Sequence, residues 1–165
     1  MWFVGVDNGL NGGIVVINER ENIIMKGPMP TFSGTKKEFD VQKISEFMRR
    51  VKDLEEEVYV FIEEARVQPV SGKRASFTTG FCYGLFQGIC SALNLSYEIV
   101  APKTWQKELL KGLATDTKVA SIMFCSKKYP KEDWTATDRS KKSHDGMTDA
   151  TCIALYGKRK TGDVL

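Results

Sequence analysis

Short apolar runs separated by polar turns dominate the first thirty residues. Three such runs predict β-strands, at residues 2–7, 14–17 and 23–29. The segment 8–13 is rich in asparagine and glycine, and the segment 18–22 is polar, so both predict turns. Pro28 and Pro30 close the third run and favour an edge strand there. The pattern therefore predicts a three-stranded antiparallel meander.

Helical and strand-like patterns alternate along the rest of the chain. After a polar segment, 31–40, that predicts a loop, apolar residues recur at helical spacing from Val41 to Val51. Later strands are predicted at 58–63 and 97–100, helices at 76–93, 105–110, 117–125 and 144–156, and loops at 68–75 and 127–142. This order indicates an α/β protein with a mixed five-stranded sheet flanked by helices.

Composition fits a soluble protein with one packed core. With 165 residues, 42 % of them apolar and 27 % charged, residues 1–165 are expected to form a single domain. The 24 basic and 21 acidic residues leave a net charge of +3, which permits a polyanionic partner without requiring one. No leader-like segment and no apolar run near the ~20 residues of a membrane span is present, so we expect a cytoplasmic protein.

Cysteine and glycine positions on the predicted helices point to packing. The cysteines form no Cys-x-x-Cys pair and lie in apolar surroundings, which predicts buried reduced thiols. They are Cys82, Cys90, Cys125 and Cys152. Gly80, Gly84 and Gly88 stand four residues apart on one helix, where glycine is unfavourable. They predict close approach of another backbone, either that of the chain's own sheet or that of a second copy.

Four carboxylates stand at the ends of predicted elements. Asp7 and Glu63 each end an apolar strand, whereas Glu64 points to the opposite face by strand alternation. Asp145 and Asp149 open the last predicted helix, four residues apart and therefore on one face. A charge at the end of a buried strand is unfavourable unless it is compensated, and hard divalent cations prefer oxygen ligands. The set predicts a shared cation site of the kind that hydrolyses phosphodiesters.

Ordinary structural roles would also explain single members of this set. Asp7 stands two residues before Gly9, which allows a positive φ, and an aspartate there would cap a hairpin turn. Asp145 and Asp149 would each be favoured at the amino terminus of a helix, although the pair repels itself. The sequence leaves three roles open for His144: a support for a metal ligand, a general base or an exposed helix cap.

Taken in order, the motifs resemble one nuclease family. The sequence resembles the RuvC family of Holliday junction resolvases, in particular its phage-encoded branch, and the resemblance extends over nearly the whole chain. The segments that carry it are Gly5-Val6-Asp7-Asn8-Gly9, Ile62-Glu63, Pro102-Lys103-Thr104-Trp105-Gln106-Lys107, Lys118 and Asp145-x-x-x-Asp149-Ala150. It implies a ribonuclease-H-like fold, a homodimer, and symmetric nicking of four-way DNA junctions, with other branched DNA as a further candidate substrate. Asn8 stands where the family commonly has proline.

The resemblance also implies roles for individual residues. Asp7, Glu63, Asp145 and Asp149 would hold two Mg²⁺ or Mn²⁺ ions, with Asp7 bridging them. One ion would activate a water and the other would stabilise the leaving 3′ oxygen, giving a 5′ phosphate. Lys118 would neutralise the scissile phosphate. A phage-encoded member of the family would act in the cytoplasm of the host cell.

Basic and aromatic side chains between these motifs are candidate DNA contacts. Contacts to phosphates give affinity without sequence information, so binding is expected to weaken steeply with salt. The candidates are Lys73, Arg74, Phe77, Lys103, Lys107, Lys111, Lys141 and Lys142.

Two positions depart from the bacterial pattern in ways that affect function. Gly146 stands where bacterial members carry a metal ligand, which leaves Asp145 or His144 to supply it. Arg66 stands where they carry an aromatic residue at the junction centre, and Phe77 is the candidate substitute. Junction selectivity is therefore expected to be looser or differently encoded.

Three other functions remain alternatives. A ribonuclease H acting on RNA:DNA hybrids shares the four-acid site, and a non-catalytic branched-DNA-binding module would keep the fold. Intact Asp7, Glu63 and Asp149 argue against that module, because an unused acid cluster destabilises the protein by self-repulsion. A sugar-kinase or actin-like ATPase needs a second nucleotide-binding half, for which 165 residues leave no room.

Overall fold

A central β-sheet carries helices on both of its faces. The computed structural model describes residues 1–32, 34, 36–54, 56–66, 72–114 and 116–162. The strands are β1 (Trp2–Asp7), β2 (Gly13–Asn18), β3 (Ile23–Pro28), β4 (Thr31–Phe32), β5 (Glu38–Phe39), β6 (Val58–Glu63) and β7 (Ser96–Val100). The helices are α1 (Val41–Lys52), α2 (Lys73–Ala92), α3 (Pro102–Leu109), α4 (Thr117–Lys128) and α5 (Asp145–Gly162).

The sheet is mixed and five-stranded, as the sequence predicted. Its strand order is β3-β2-β1-β6-β7. The first three strands form the expected antiparallel meander, whereas β6 runs parallel to both β1 and β7. β3 lies at one edge, in agreement with the prolines that close it. The central position of β1 brings its carboxyl end next to that of β6.

Two apolar cores, one on each face, explain why β1 and β6 are hydrophobic along their whole length. Alternate residues of a strand point to opposite faces. Val4 therefore packs under α1 and α2 with Met48 and Phe86, whereas Phe3 packs on the other face with residues of α3, α4 and α5. Strands buried on both faces read as continuous apolar runs in the sequence.

Helix α5 lies directly on the backbone of β1 and β2. A Cβ atom added at Gly5 would stand 1.9 Å from the carbonyl oxygen of Ala150, and one at Gly13 would stand 2.8 Å from that of Gly146. Neither position has room for a side chain, because backbone occupies the space. This close packing fixes the amino end of α5 beside the end of β1.

Two segments predicted as loops contain regular structure. Within 31–40, β4 and β5 pair as a short antiparallel hairpin, with Thr31 opposite Phe39. Strands of two residues are too short to produce a readable alternation, so the sequence could not predict them. In the predicted basic loop 68–75, α2 already begins at Lys73, while residues 67–71 lie outside the described part of the chain. The predicted loop 127–142 likewise begins later, since α4 extends to Lys128.

One of the two explanations for the α2 glycines is wrong. A Cβ atom added at Gly80, Gly84 or Gly88 would meet no described atom within 4 Å, so this face does not pack on the chain's own sheet. The four cysteines are buried and free, as predicted. None of the helices in the described ranges is both long and apolar enough to cross a membrane.

Candidate active site

The four predicted acids come together at the carboxyl-terminal ends of the central strands β1 and β6. Asp7 ends β1, and Glu63 ends the parallel neighbour β6, so the two carboxyl-terminal ends lie side by side. Asp145 and Asp149 occupy successive turns at the amino end of α5. The negative charges of Glu63, Asp149 and Asp145 all act on Asp7 and raise its pKa. The cluster therefore joins residues that are as far as 142 positions apart in sequence (149 minus 7).

Burial raises the pKa of three of these acids, and neighbouring negative charges add to the shift for Asp7 and Asp149. Burial is the largest cause for Asp7, whose pKa lies well above its ordinary value. Burial also raises the pKa of Glu63, against the opposing hydrogen bond from Trp105. The pKa of Asp149 rises to about 7, through burial first and then through the charges of Glu63 and Asp145. The site therefore holds more negative charge than its surroundings compensate.

The side chains fit a hard divalent cation. Oδ1 of Asp149 is buried and has no hydrogen-bond partner among the described residues. An orphaned carboxylate oxygen beside other carboxylates is a ready ligand for Mg²⁺ or Mn²⁺. Within the described ranges, however, no three His, Cys, Asp or Glu side chains already stand as a formed metal cage. Two of the acids are held by protein groups instead, Asp145 by Lys118 and Glu63 by Trp105.

Lys118 is the cation paired with the cluster. Its Nζ lies 2.8 Å from Oδ2 of Asp145. Burial alone would raise the pKa of Asp145, but the hydrogen bond and charge of Lys118 hold it below its ordinary value. The same hydrogen bond raises the pKa of Lys118. Since Lys118 lies in the first turn of α4 and its side chain is 69 % exposed, it can also reach groups in solvent.

The turn after β1 is built by close backbone contacts. Asn8 is buried, and its Nδ2 donates a hydrogen bond to the carbonyl oxygen of Glu63, which ties the turn to β6. A Cβ atom added at Gly146 would lie 2.2 Å from the carbonyl oxygen of Asn11. No side chain fits at Gly146, so this position cannot supply a metal ligand. Gly112 is the one described glycine with a positive φ, so Gly9 does not use the left-handed conformation that its position suggested.

His144 caps the amino end of α5. Its Nδ1 accepts a hydrogen bond from the backbone N–H of Met147 at 3.3 Å, and its carbonyl accepts from that of Thr148. Burial lowers the pKa of His144. Of the three roles considered for His144 from the sequence, this geometry matches the helix cap. Its side chain is half-buried, however, and not exposed as expected.

Sequence reasoning missed Trp105 as part of the site. Trp105 is 1 % exposed, and its Nε1–H donates to Oε1 of Glu63 at 3.0 Å. A tryptophan on an amphipathic helix normally indicates core packing, so its position in the sequence gave no sign of this contact. Arg66, in contrast, forms an exposed pair with Glu64 at 2.7 Å.

An aromatic groove adjoins the turn that follows Asp7. The exposed ring of Phe77 stacks on Phe81 with centroids 6.2 Å apart, and Phe81 stacks on Phe39 at 5.9 Å. These rings line a groove of about 320 Å³ together with Leu10, Thr78 and the charged side chains of Lys37, Glu38 and Arg74. The groove combines flat apolar surface with two cations, which is the composition that unpaired bases and their phosphates favour.

The remaining candidate DNA contacts are exposed. Lys73 and Arg74 lie in the first turn of α2 rather than in a loop. Lys103 and Lys107 lie on the solvent side of α3, the helix whose inner face carries Trp105. Exposed positions outside the helices complete the set, namely Lys111, Lys141 and Lys142.

Comparison with known proteins places the fold. No family model matches the sequence, and no curated protein matches it either. Solved structures do match: Thermus thermophilus RuvC in complex with a Holliday junction substrate has a TM-score of 0.64 and 13 % identity, covering 98 % of this chain and 96 % of that chain. A second Thermus thermophilus RuvC structure has a TM-score of 0.59 and 17 % identity, with 98 % and 97 % covered. The chain therefore has the ribonuclease-H-like fold of RuvC, as the sequence predicted.

Proposed function

We propose that this protein is a metal-dependent, structure-selective DNA endonuclease that nicks four-way junctions and related branched DNA. The observation that carries the proposal is the cluster of Asp7, Glu63, Asp145 and Asp149 on this fold. The pKa values of Asp7, Glu63 and Asp149 are raised, and one oxygen of Asp149 has no hydrogen-bond partner among the described residues. Such a cluster lowers the stability of a protein that does not use it. Its retention fits a site that works with bound cations.

The four acids would hold two Mg²⁺ or Mn²⁺ ions. When bound, the ions supply an activated water and neutralise charge that develops on the scissile phosphate and its leaving 3′ oxygen. The charges of the other three acids all raise the pKa of Asp7, so Asp7 would be the most central of the residues that hold the ions. Lys118, whose side chain is exposed beside Asp145, would neutralise charge on the scissile phosphate. The product carries a 5′ phosphate.

Branched DNA fits the surface around the acids better than continuous duplex does. The stacked rings of Phe77, Phe81 and Phe39 offer a platform for a base that has left its helix, and every base has a face that can stack. Unpaired bases occur where strands exchange partners. Phe77 therefore serves as the substitute for the aromatic residue of bacterial relatives, and Arg74 contacts the adjacent phosphate.

A homodimer completes the active unit. Symmetric nicking requires two active sites, and each chain supplies one. The open face of Gly80, Gly84 and Gly88 supports α2 as the seam, since glycines without side chains let two helices approach closely. The resemblance of its motifs further suggests a place in the phage-encoded branch of the family.

Cleavage of a labelled synthetic four-way junction with Mg²⁺ or Mn²⁺ tests the proposal. Matched duplex, Y-fork and RNA:DNA hybrid substrates run beside it, and Asp7→Asn serves as the inactive control. Paired nicks in opposing strands, lost in Asp7→Asn, are the expected result. Equal cutting of forks and flaps would widen the substrate class on the same site.

Two outcomes contradict the proposal. Cutting of the hybrid alone would identify a ribonuclease H. Junction binding without any cutting would identify a non-catalytic module and would overturn the metal-site argument. The salt dependence of junction binding provides an independent check, because replacing one phosphate-contacting lysine should reduce the slope of log K against log salt by about one.

A further inference from the structure

One buried indole touches the candidate active site through a single directed hydrogen bond. The Nε1–H group of Trp105 donates to Oε1 of Glu63 at 3.0 Å. Among the described residues no other side chain donates to this carboxylate. We propose that Trp105 is a positioning residue, which fixes the Glu63 carboxylate in the orientation that a divalent cation requires. This inference rests on the proposed function, since it assigns a task within the same site.

The topology explains how a core side chain reaches the end of β6. β7 runs parallel to β6, with Val100 opposite Glu63. Helix α3 begins two residues later with Pro102, whose ring favours the first helical position. Its first turn therefore stands beside the end of β6, and Trp105 points inward from that turn. The connection between β7 and α3 is too short to place the indole elsewhere.

Packing prevents the indole from turning away. Trp105 is 1 % exposed and belongs to the same core cluster as Phe61 and Leu109. A buried ring of this size keeps one rotamer, because its neighbours fill the alternatives. The backbone of Glu63 is fixed as well, since Asn8 donates to its carbonyl oxygen. Glu63 is thus held at two points, one on the main chain and one on the carboxylate.

Indole chemistry suits this task. An indole has one donor, no acceptor and no charge at any working pH. It can orient a carboxylate without competing for a metal ion and without adding a positive charge next to it. Lys118 acts differently on Asp145, because it places a positive charge beside the carboxylate. Engaging Oε1 leaves the second oxygen of Glu63 available to a cation.

A second buried tryptophan provides a matched control. Trp134 is 5 % exposed, yet its Nε1 has no hydrogen-bond partner among the described residues. Replacing either tryptophan with phenylalanine removes the same atoms from a buried indole. Only Trp105→Phe also removes a hydrogen bond to a carboxylate of the candidate site. The difference between the two variants therefore isolates the hydrogen bond from the loss of ring volume.

The first experiment measures Mn²⁺ binding by calorimetry on the full chain, without DNA. The wild type, Trp105→Phe and Trp134→Phe are compared, with melting temperatures recorded for each. We expect Trp105→Phe to bind Mn²⁺ about 10- to 100-fold more weakly, which is the usual effect of losing a group that orients a ligand. Trp134→Phe should stay within about twofold of the wild type, since its N–H touches no ligand. Equal affinity in Trp105→Phe, or an equal loss in Trp134→Phe, would overturn the inference.

Kinetics on the junction substrate provide a second readout. Trp105→Phe should lower kcat about 10- to 100-fold at fixed low Mg²⁺, with partial recovery at high Mg²⁺. Junction affinity without divalent ions should stay unchanged, because Trp105 is buried and does not reach DNA. A parallel loss of junction affinity would indicate general damage to the fold and would contradict positioning.

An NMR measurement on the wild type covers the case in which Trp105→Phe fails to fold. The indole N–H resonance of Trp105 should shift during a Mg²⁺ titration, whereas that of Trp134 should not. An unmoved Trp105 resonance at saturating Mg²⁺ overturns the inference while leaving the metal site intact. A wild type that binds neither Mg²⁺ nor Mn²⁺ overturns the proposed function, and the inference with it.

Discussion

Acidic residues at the two ends of the central sheet have opposite surroundings. At the end where β1 begins, Glu19 and Glu56 lie 3.0 and 2.9 Å from the amino terminus. Glu21, in the hairpin at the same end, pairs with Lys128 and Lys158. At the end where β1 and β6 finish, a cluster of four carboxylates is paired with Lys118 alone among the described residues.

The difference appears in the pKa values. Burial alone would raise the pKa of Glu21, but its two lysine partners hold it below its ordinary value. The pKa values of Asp7, Glu63 and Asp149 are raised. The chain thus supplies two lysines to a single acid at one end, and one lysine to four acids at the other. Uncompensated charge of this kind is typical of a site that recruits its counter-ion from solution.

The largest effect is expected for Asp149→Asn at the uncompensated end. Cleavage of a four-way junction should fall by at least about a thousandfold, because bound metal ions supply several kcal/mol of charge stabilisation in the transition state. The metal-free variant should melt at a higher temperature than the wild type, since one repelling charge has gone. Loss of activity together with loss of stability would show that Asp149 is an ordinary structural acid.

The pH dependence of stability should differ in sign between the two ends. Between its ordinary pKa of 3.8 and its folded value of about 7, Asp149 keeps a proton that the unfolded chain has released. The unfolded state then binds fewer protons, so stability falls as pH rises through this range. Over the full shift of 3.2 pKa units (7 minus 3.8), the loss should amount to about 4 kcal/mol, at about 1.4 kcal/mol per unit. For Glu21 the pH dependence has the opposite sign. The stabilisation from its lysine partners is complete above its ordinary pKa of 4.5 and is lost as the pH falls below that value.

Thermal melts between pH 5 and 8 in a chelating buffer measure this effect. Added Mg²⁺ should flatten the curve, because a bound cation favours the charged acids in the folded state. Asp149→Asn should also flatten it without Mg²⁺. A metal-free wild type that gains stability from pH 5 to 7 would contradict the electrostatic difference between the two ends.

Glu21→Gln tests the compensated end. The substitution leaves Lys128 and Lys158 without their carboxylate partner, so the free energy of unfolding should fall by about 1 kcal/mol. The side chains are partly exposed, which limits the loss. Junction cleavage should stay unchanged, since this end of the sheet lies away from the candidate active site. A loss of cleavage with unchanged stability would show that Glu21 serves the reaction, and the contrast between a structural end and a functional end of the sheet would be wrong.

The sequence predicted the sheet and the acids because both leave local patterns. Continuous apolar runs predicted β1 and β6. The carboxylate that ends each run, Asp7 or Glu63, was therefore predicted to lie at the end of a buried strand. The glycine contacts that bring α5 against β1 join residues more than 130 positions apart, such as Gly13 and Gly146, and no local pattern predicts such a contact. The bond from Trp105 to Glu63 depends on the same long-range packing.

Glycine patterns show the limit of such prediction most directly. Gly80, Gly84 and Gly88 predicted close approach of another backbone, from the sheet or from a second copy, yet no described atom of this chain lies against their face. Gly5 and Gly13 gave no comparable signal, yet they have no room for a side chain. Spacing alone tells where side chains are missing, whereas only the tertiary structure tells whether another backbone fills the gap.

Lys118→Ala should give the smallest effect on stability, and it tests the lone pairing at the uncompensated end. The lysine is 69 % exposed, so its pair with Asp145 should contribute less than about 0.5 kcal/mol to folding. Cleavage should fall about tenfold, equivalent to about 1.4 kcal/mol in the transition state, if the amine acts on the scissile phosphate.

Lys127→Ala, which removes an exposed lysine from the same helix, is the matched control. The free energy of unfolding and the single-turnover rate should be measured on both variants. A drop in stability without a change in rate would mean that Lys118 is a counter-ion like Lys128 and Lys158, and the two ends of the sheet would then differ only in degree.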